Sequence, residues 1–351
     1  MLGNKVPYIQ MKNITKQFGK VVANNNINLE VHGGEVHALL GENGAGKSTL
    51  MNMLSGVYTP DSGSILIHGE DKKFTSPKDA ISAGIGMIYQ HFKLVETMTA
   101  VENIILGQKG KLFLNKRKSI KRIKEIIDKF ALEVNLEKNV YDMSVGEKQN
   151  LEILKVLYRG ADILILDEPT AVFTPQESEK LFKIVQRMKE EGCAVIFITH
   201  KMDEVMSTAD RITVLRKGES IKTLNKIDTN PKELTELMVG RPVEISIKKV
   251  QRKIGERILE VNNLRVINEE KVDVLKSISF SVNSGEILGI AGIAGSGQKE
   301  LCEAIAGLQK IESGEVTFEG QNLVGKSSGE IIRKGISMSF IPEDRLGMGL
   351  V

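Results

Sequence analysis

Tryptophan is absent from the sequence, cysteine occurs twice and aromatic residues make up 5% of it. So few rings argue against a base-stacking surface, which needs exposed aromatics. Cys193 and Cys302 have no CxxC pairing and no histidine at ligand spacing, so neither a disulfide scaffold nor a zinc site is expected. Both read as small core residues. Charge of one sign is not in excess either, since 48 Lys and Arg face 45 Asp and Glu, a net charge of +3. A nucleic-acid-coating protein would carry a strongly basic field, so no nucleic-acid partner is expected. Long apolar runs are missing: stretches such as Ala194 to Ile198 fall far below the roughly 20 residues of a membrane-spanning helix. The opening residues also lack the apolar centre of a signal peptide, so the expected location is cytosolic.

What is present is ample core material. With 41% hydrophobic and 26% charged residues, 351 residues suffice for about two ordinary domains. Sliding the sequence on itself by 251 places Ile27 to Glu70 over Ile278 to Gln321 without a gap, with twelve identities in 44 positions. Seven of the twelve are glycines: Gly34, Gly41, Gly44, Gly46, Gly56, Gly63 and Gly69. Farther on, Gly84, Ile85 and Met87 fall over Gly335, Ile336 and Met338. This is an internal repeat. The first copy covers 1–240, the polar stretch 241–257 with Pro242 and Gly255 reads as a linker, and the second copy covers 258–351. Val351 corresponds to Ala100, so the second copy is incomplete, and a full parent chain would need on the order of 500 residues.

In the first copy, Val36 to Leu40 is a short apolar run that leads into a glycine loop. From Lys47 the pattern turns helical, with Leu50, Met51 and Leu54 on one face. Asp162 to Leu166, Ala194 to Ile198 and Arg211 to Leu215 are further aliphatic runs, of the kind buried on both faces of a parallel sheet. Helical patterns between them, such as Gln176 to Glu190, predict an α/β layered domain. A helical insert of about 99–160 interrupts it, where Ile120, Ile123, Ile126, Ile127 and Phe130 form one stripe. From Lys109 to Lys124 there are eight basic residues and no acidic one, read as a solvated helix face in preference to a partner or membrane surface.

Gly41-Glu-Asn-Gly-Ala-Gly-Lys-Ser-Thr49 fits GxxxxGK[ST] in the required context of strand, loop and helix. Its glycines let backbone amides turn toward one point, and the helix start adds partial positive charge there. A polyphosphate is the matching ligand, with Lys47 on the β- and γ-phosphates, Ser48 on Mg²⁺ and Thr49 near the α-phosphate. Ile163-Leu-Ile-Leu-Asp-Glu168 is an aliphatic strand ending in two acids, which need a cation or a proton at the edge of a core. Asp167 suits Mg²⁺, and Glu168 suits general-base work on a water. Met143-Ser-Val-Gly-Glu-Lys-Gln149 opens a helix whose first amides make a second anion site.

With these three segments the chain resembles the ATP-binding-cassette family over essentially its whole length. The resemblance implies a P-loop NTPase fold, α/β with a helical subdomain, followed by the N-terminal part of a second cassette. It implies ATP hydrolysis with Mg²⁺, two cassettes closing on two ATP molecules, and a signature segment of one cassette covering the γ-phosphate held by the other. Carried onto this sequence, Glu168, His200 and Gln90 are catalytic. Phe18, Gly41, Glu42, Asn43, Gly44, Ala45, Gly46, Lys47, Ser48 and Thr49, with Ser144 and Gly146 of the signature, contact nucleotide. Ser48, Gln90 and Asp167 hold the metal. Phe18 could equally pack in the core. The signature departs from LSGGQ at Val145 and Glu147, and a negative Glu147 beside phosphate is expected to weaken the clamp. The segment after Glu168 departs too, with Thr174 where an aspartate is common.

In the second copy Gln298, Lys299 and Glu300 replace Lys47, Ser48 and Thr49. Each lost charge-assisted phosphate contact removes roughly 1.5 to 3 kcal/mol, so hydrolysis is expected at the first loop alone. Twin cassettes with a degenerate second loop resemble the ATPases of importers for simple sugars such as ribose and galactose, or for nucleosides. Leu237-Met-Val-Gly-Arg241 and Pro342-Glu-Asp-Arg345 recur in that group, and Gln90-His-Phe-Lys-Leu leans toward the nucleoside branch. The implied partners are transmembrane permease subunits and, through them, an extracytoplasmic substrate-binding protein, with the chain peripheral on the cytoplasmic face of the cell membrane. Self-association of this fragment is left open. The alternative is a soluble twin-cassette ATPase acting on ribosomes or nucleic acid, but that class needs two intact loops and a long charged linker. A kinase or GTPase would have no use for the signature segment.

Overall fold

The computed structural model describes residues 6–89, 92–107, 116–171, 173–243, 253–267, 271–293, 295–333 and 341. In the first of two units, 1–246, the chain runs through β1 (Ile9–Phe18), β2 (Val21–Val31), β3 (Val36–Leu40), α1 (Lys47–Leu54), β4 (Ser62–Ile67), β5 (Glu70–Lys72), α2 (Pro77–Ser82) and β6 (Ile85–Ile88). Three helices follow, α3 (Ala100–Ile105), α4 (Lys116–Phe130) and α5 (Val145–Tyr158). The chain then returns to alternation in β7 (Ile163–Asp167), α6 (Pro175–Glu190), β8 (Ala194–Thr199), α7 (Met202–Thr208), β9 (Arg211–Arg216), β10 (Glu219–Asn225) and α8 (Pro231–Val239). The aliphatic runs of the sequence are therefore the strands of one six-stranded sheet, ordered β10-β9-β3-β8-β7-β6 and parallel except for β10. A four-stranded antiparallel sheet, β2-β1-β4-β5, lies alongside.

Alternation decides which layer each strand residue joins, because successive side chains point to opposite faces. Leu164, Leu166, Val195 and Phe197 pack with α5 and α6 through Leu151, Leu154, Leu181 and Val185. Ile163, Ile165, Ile196 and Ile198 pack on the other face with Leu50, Met51 and Leu54 of α1 and with Ile9 and Met11 of β1. The sheet is thus buried on both sides, as parallel sheets are. In the helical insert, Ile123 and Phe130 of α4 are buried, with Ile120, Ile126 and Ile127 packed partly beneath them. The Arg122 guanidinium sits 5.0 Å over the Tyr158 ring. Helix starts follow local chemistry: Ser76, Thr99, Ser144 and Thr174 each form a capping box with the acid three residues on. Thr174, the departure noted in the sequence, therefore caps α6 as an aspartate would.

The second unit, 247–351, contains β11 (Arg257–Ile267), β12 (Asp273–Asn283), α9 (Gln298–Ile305), β13 (Ser313–Phe318), β14 (Gln321–Asn322) and α10 (Ser328–Arg333). Both α9 and β13 begin and end 251 residues after α1 and β4. The counterpart of β3 differs. Residues 287–291 form no strand and Ile287 is 97% exposed, since none of the described residues of this unit supplies a parallel neighbour. Cys193 is buried, but Cys302 is exposed, correcting the expectation that both lie in the core. Its counterpart Met51 is buried beneath the parallel sheet, a layer that the described part of the second unit does not have.

Within β3, His37 is fully buried. Its Nδ1 lies 3.3 Å from Glu35 Oε1 and its Nε2 lies 2.8 Å from Thr213 Oγ1, while Arg211 pairs with Glu35 at 3.2 Å. Burial pushes the imidazole below its ordinary value, against the pull of the Glu35 carboxylate. Burial alone would raise Glu35, but the hydrogen bonds from His37 and the His32 amide, with the Arg211 charge, hold it low. The unfolded imidazole titrates near about 6.5 while the buried one stays neutral below that, so protons favour the unfolded chain as pH falls. Urea midpoints are expected to drop between pH 7 and pH 5 in the wild type and to drop less in His37→Asn. Glu35 adds its own loss only below about pH 4.5. Parallel pH curves for the two proteins would contradict this.

Candidate active site

The phosphate loop leaves the carboxyl end of β3 and enters α1 through two left-handed glycines, Gly44 at φ 82° and Gly46 at φ 99°. A Cβ on Gly46 would lie 2.4 Å from the Ala23 carbonyl, and one on Gly41 would lie 2.5 Å from the Leu215 carbonyl. The loop is therefore pressed against β2 and β9, and only glycine fits those two points. Asn24 Nδ2 donates to the Gly46 carbonyl at 3.2 Å, an anchor that sequence reasoning missed. Lys47 is 6% exposed and its Nζ donates to the carbonyls of Gly41 at 2.7 Å and Glu42 at 3.0 Å. Burial lowers its pKa, opposed by the charges of Glu168 and Asp167. Ser48 beside it is exposed, as are Glu42, Asn43 and Gly44, while Ala45 packs inward and Thr49 is half-buried.

At the end of β7, burial raises the Asp167 carboxyl above its ordinary range, Glu168 adds to the rise and Lys47 opposes it. A carboxyl in that position gains from a bound cation. Glu168 follows at φ 45°, an uncommon backbone for a non-glycine residue, with its amide donating to the Ile198 carbonyl at 3.0 Å. Its Oε1 lies 3.0 Å from Nδ1 of His200, which follows β8. Lys47, Asp167, Glu168 and His200 thus meet at the carboxyl edge of one sheet, where α/β folds place their ligands. Gln90 lies outside the described residues. The glycine cradle, the buried amine and the half-buried carboxyl beside an exposed serine hydroxyl fit a magnesium-bound polyphosphate.

Phe18, at the end of β1, is 42% exposed, with Tyr58 edge-on at 5.2 Å and Lys16 Nζ 5.6 Å from its ring centroid. It does not pack in the core. Ser144 caps α5, with Glu147 accepting from the Ser144 amide at 2.8 Å. Lys138 Nζ reaches both Glu147 oxygens at 2.9 and 2.8 Å, and it holds that carboxyl below its usual range, helped by the Ser144 amide. The negative charge expected to weaken the signature is therefore paired with a lysine nine positions earlier. Gly146, the second residue of the helix, keeps its place beside Ser144 in an open cleft that Asn150, Phe173 and Glu177 also line.

The second loop keeps the backbone and loses the chemistry. Gly295 and Gly297 have φ 80° and 90°, but Gln298 occupies the lysine position and donates to the Ile290 carbonyl at 2.9 Å. Lys299 Nζ lies 3.9 Å from Glu303, drawn along its own helix. A guanine-reading NKxD spacing does occur at Asn225–Asp228, but Asn225 pairs with Arg211 at the opposite end of the sheet from the phosphate loop. Its side chain donates to Asp228 itself at 2.8 Å.

Two alanine substitutions separate backbone freedom from close approach. Gly44→Ala, with open space around the new Cβ, is expected to lose about 1 to 2 kcal/mol by urea unfolding. Gly46→Ala adds the Ala23 clash and should lose clearly more, together with Mg-ATP binding by calorimetry. Equal losses would mean that contact with β2 does not shape the loop.

Known proteins share this sequence over long stretches. The sequence profile described as ABC transporter matches residues 24–171 and 275–346. The chain is 48% identical over 345 residues to the guanosine import ATP-binding protein NupO of Bacillus subtilis, covering 98% of this chain and 67% of that protein. It is 41% identical over 369 residues to the glucose import ATP-binding protein TsgD13 of Haloferax volcanii, covering 97% of this chain and 67% of the relative. It therefore spans about two thirds of the length of each. Among solved structures, the ADP conformation of MJ1267, an ATP-binding cassette of an ABC transporter, superimposes with a TM-score of 0.59 at 25% identity, covering 67% of this chain and 99% of that one. With its phosphate loop, paired acids and signature helix in one cassette fold, the chain belongs to the ABC transporter family as an ATP-binding protein.

Proposed function

We propose that this chain is the ATP-hydrolysing subunit of an importer for nucleosides or simple sugars, working from its first phosphate loop. The reading is supported chiefly by the meeting of Lys47, Asp167, Glu168 and His200 at one sheet edge. The cassette then spans 1–240 with its helical subdomain at about 99–160. A linker covers 241–257, and 258–351 is an incomplete second cassette with a degenerate loop.

Lys47 exchanges its two carbonyl partners for the β- and γ-phosphates, and the amides of the glycine loop enclose the same charge. Phe18 stacks on adenine. Ser48 and Asp167, with Gln90, would hold Mg²⁺, which when bound would supply positive charge against the phosphates. Glu168 accepts the proton of the attacking water, and His200, 3.0 Å away, holds that carboxylate in place. Ser144 and Gly146 serve as the clamp on a nucleotide held by another cassette.

Import ATP-binding proteins imply permease partners in the membrane. None of the described helices is long and apolar enough to cross a bilayer. Through those permeases the chain would attach peripherally at the cytoplasmic face. An extracytoplasmic substrate-binding protein would complete the system, and two copies of this fragment would supply a second clamp by self-association. NupO names guanosine and TsgD13 names glucose, so cargo is best decided by uptake of labelled nucleosides and hexoses in cells expressing the full transporter.

Lys47→Ala is expected to weaken Mg-ATP binding by roughly 1.5 to 3 kcal/mol in calorimetry. Glu168→Gln should bind Mg-ATP as the wild type does yet hydrolyse it at least about 100-fold more slowly. Unchanged turnover in either variant would remove the first loop as the working site.

A further inference from the structure

Glu204 lies in the first turn of α7 and is 8% exposed. A carboxylate so far from water must be partnered. Its Oε1 accepts from Thr170 Oγ1 at 2.5 Å and lies 3.0 Å from Lys201 Nζ, and its Oε2 accepts from Thr199 Oγ1 at 2.9 Å. Lys201 Nζ also donates to the Thr170 carbonyl at 2.9 Å, and the Lys201 amide donates to Thr199 Oγ1 at 3.1 Å. Thr170 and Thr199 are themselves buried. Hydrogen bonds to a charged acceptor in such surroundings are stronger than neutral ones in water.

These contacts join two chain segments with separate duties. Thr170 comes two residues after Glu168, and Thr199 comes one residue before His200. A carboxylate serving only its own helix would bond the amides of that first turn. Glu204 instead bonds the hydroxyl of Thr199 at the end of β8 and that of Thr170 in the turn after β7. The backbone at Glu168 is held at φ 45°, with its amide on Ile198 and its carbonyl accepting from the Ala171 amide at 3.2 Å. Such a conformation persists only where neighbouring contacts over-determine it.

We infer that Glu204 is a positioning residue, whose carboxylate ties Thr170 to Thr199 and so fixes the spacing between the Glu168 carboxylate and the His200 imidazole. The inference rests on the hydrolytic roles proposed above for those two residues. None of the Glu204 hydrogen bonds touches residues 41–49, so the clasp acts on the rate of hydrolysis and leaves nucleotide affinity alone.

The test compares Glu204→Ala, Glu204→Gln, Thr170→Val and Thr199→Val in the full 351-residue chain by single-turnover hydrolysis of labelled ATP, calorimetry with Mg-ATP and amide hydrogen exchange. Glu204→Ala is expected to slow hydrolysis about tenfold or more with affinity within about twofold, since small misplacements of reacting groups carry large rate penalties. Peptides covering 167–171 and 199–204 should gain exchange together, while 41–49 stays protected. Glu204→Gln, which keeps an acceptor and the shape, should recover most of the rate, and each valine variant should show a partial loss. A wild-type rate in Glu204→Ala would overturn the inference, as would equal losses of rate and affinity with exchange rising everywhere. If Glu204→Ala does not fold, the two valine variants carry the test, and wild-type rates in both would overturn it. Glu168→Gln run beside them keeps the readings apart: normal turnover there would remove the general base, whatever Glu204 does.

Discussion

A strand buried on both faces can show a polar side chain only where it ends. β3, β7 and β8 are such strands, filled with Val, Ile, Leu, Ala and Phe on alternate sides, with the bonded, fully buried His37 of β3 as the exception. Their carboxyl ends form one edge, and the chain places there a glycine turn, two acids and a histidine in succession. Each group arrives because the hydrophobic layers leave it nowhere else to go. The antiparallel sheet reaches that edge where β2 presses on the loop at Gly46, while α5 presents Ser144 from the insert in a separate cleft.

The two copies separate what backbone provides from what side chains provide. Both loops pass through left-handed glycines at matching positions, and both helices start at the following residue. The second loop nevertheless has an amide where the first has an amine, and leucine at 275 where the first has the anchoring Asn24. Loop shape is thus encoded by glycine spacing and survives the loss of charge. Phosphate chemistry is an addition to that shape.

The same division explains what the sequence revealed. The strands, the phosphate loop, the paired acids after β7 and the amphipathic α4 were legible because period, glycine spacing and capping residues are local signals. Cys302 was misjudged because its burial depends on a sheet that its own neighbours do not specify. Lys138 beside Glu147, Asn24 beside Gly46 and Glu204 beside Thr170 are partnerships across 9, 22 and 34 positions, invisible to any periodic pattern. The first is the most instructive, since Glu147 read alone looked like damage to the signature, and its partner makes it a paired charge.

The phosphate loop does not present a bare cation. With its ammonium already satisfied by two carbonyls of the same loop, Lys47 has little to gain from chloride, acetate or another weak monoanion passing by. A guest must bring enough negative charge to outbid both carbonyls at once. Pairing of this kind favours multivalent anions over monovalent ones, since two hydrogen bonds at one amine must be replaced together.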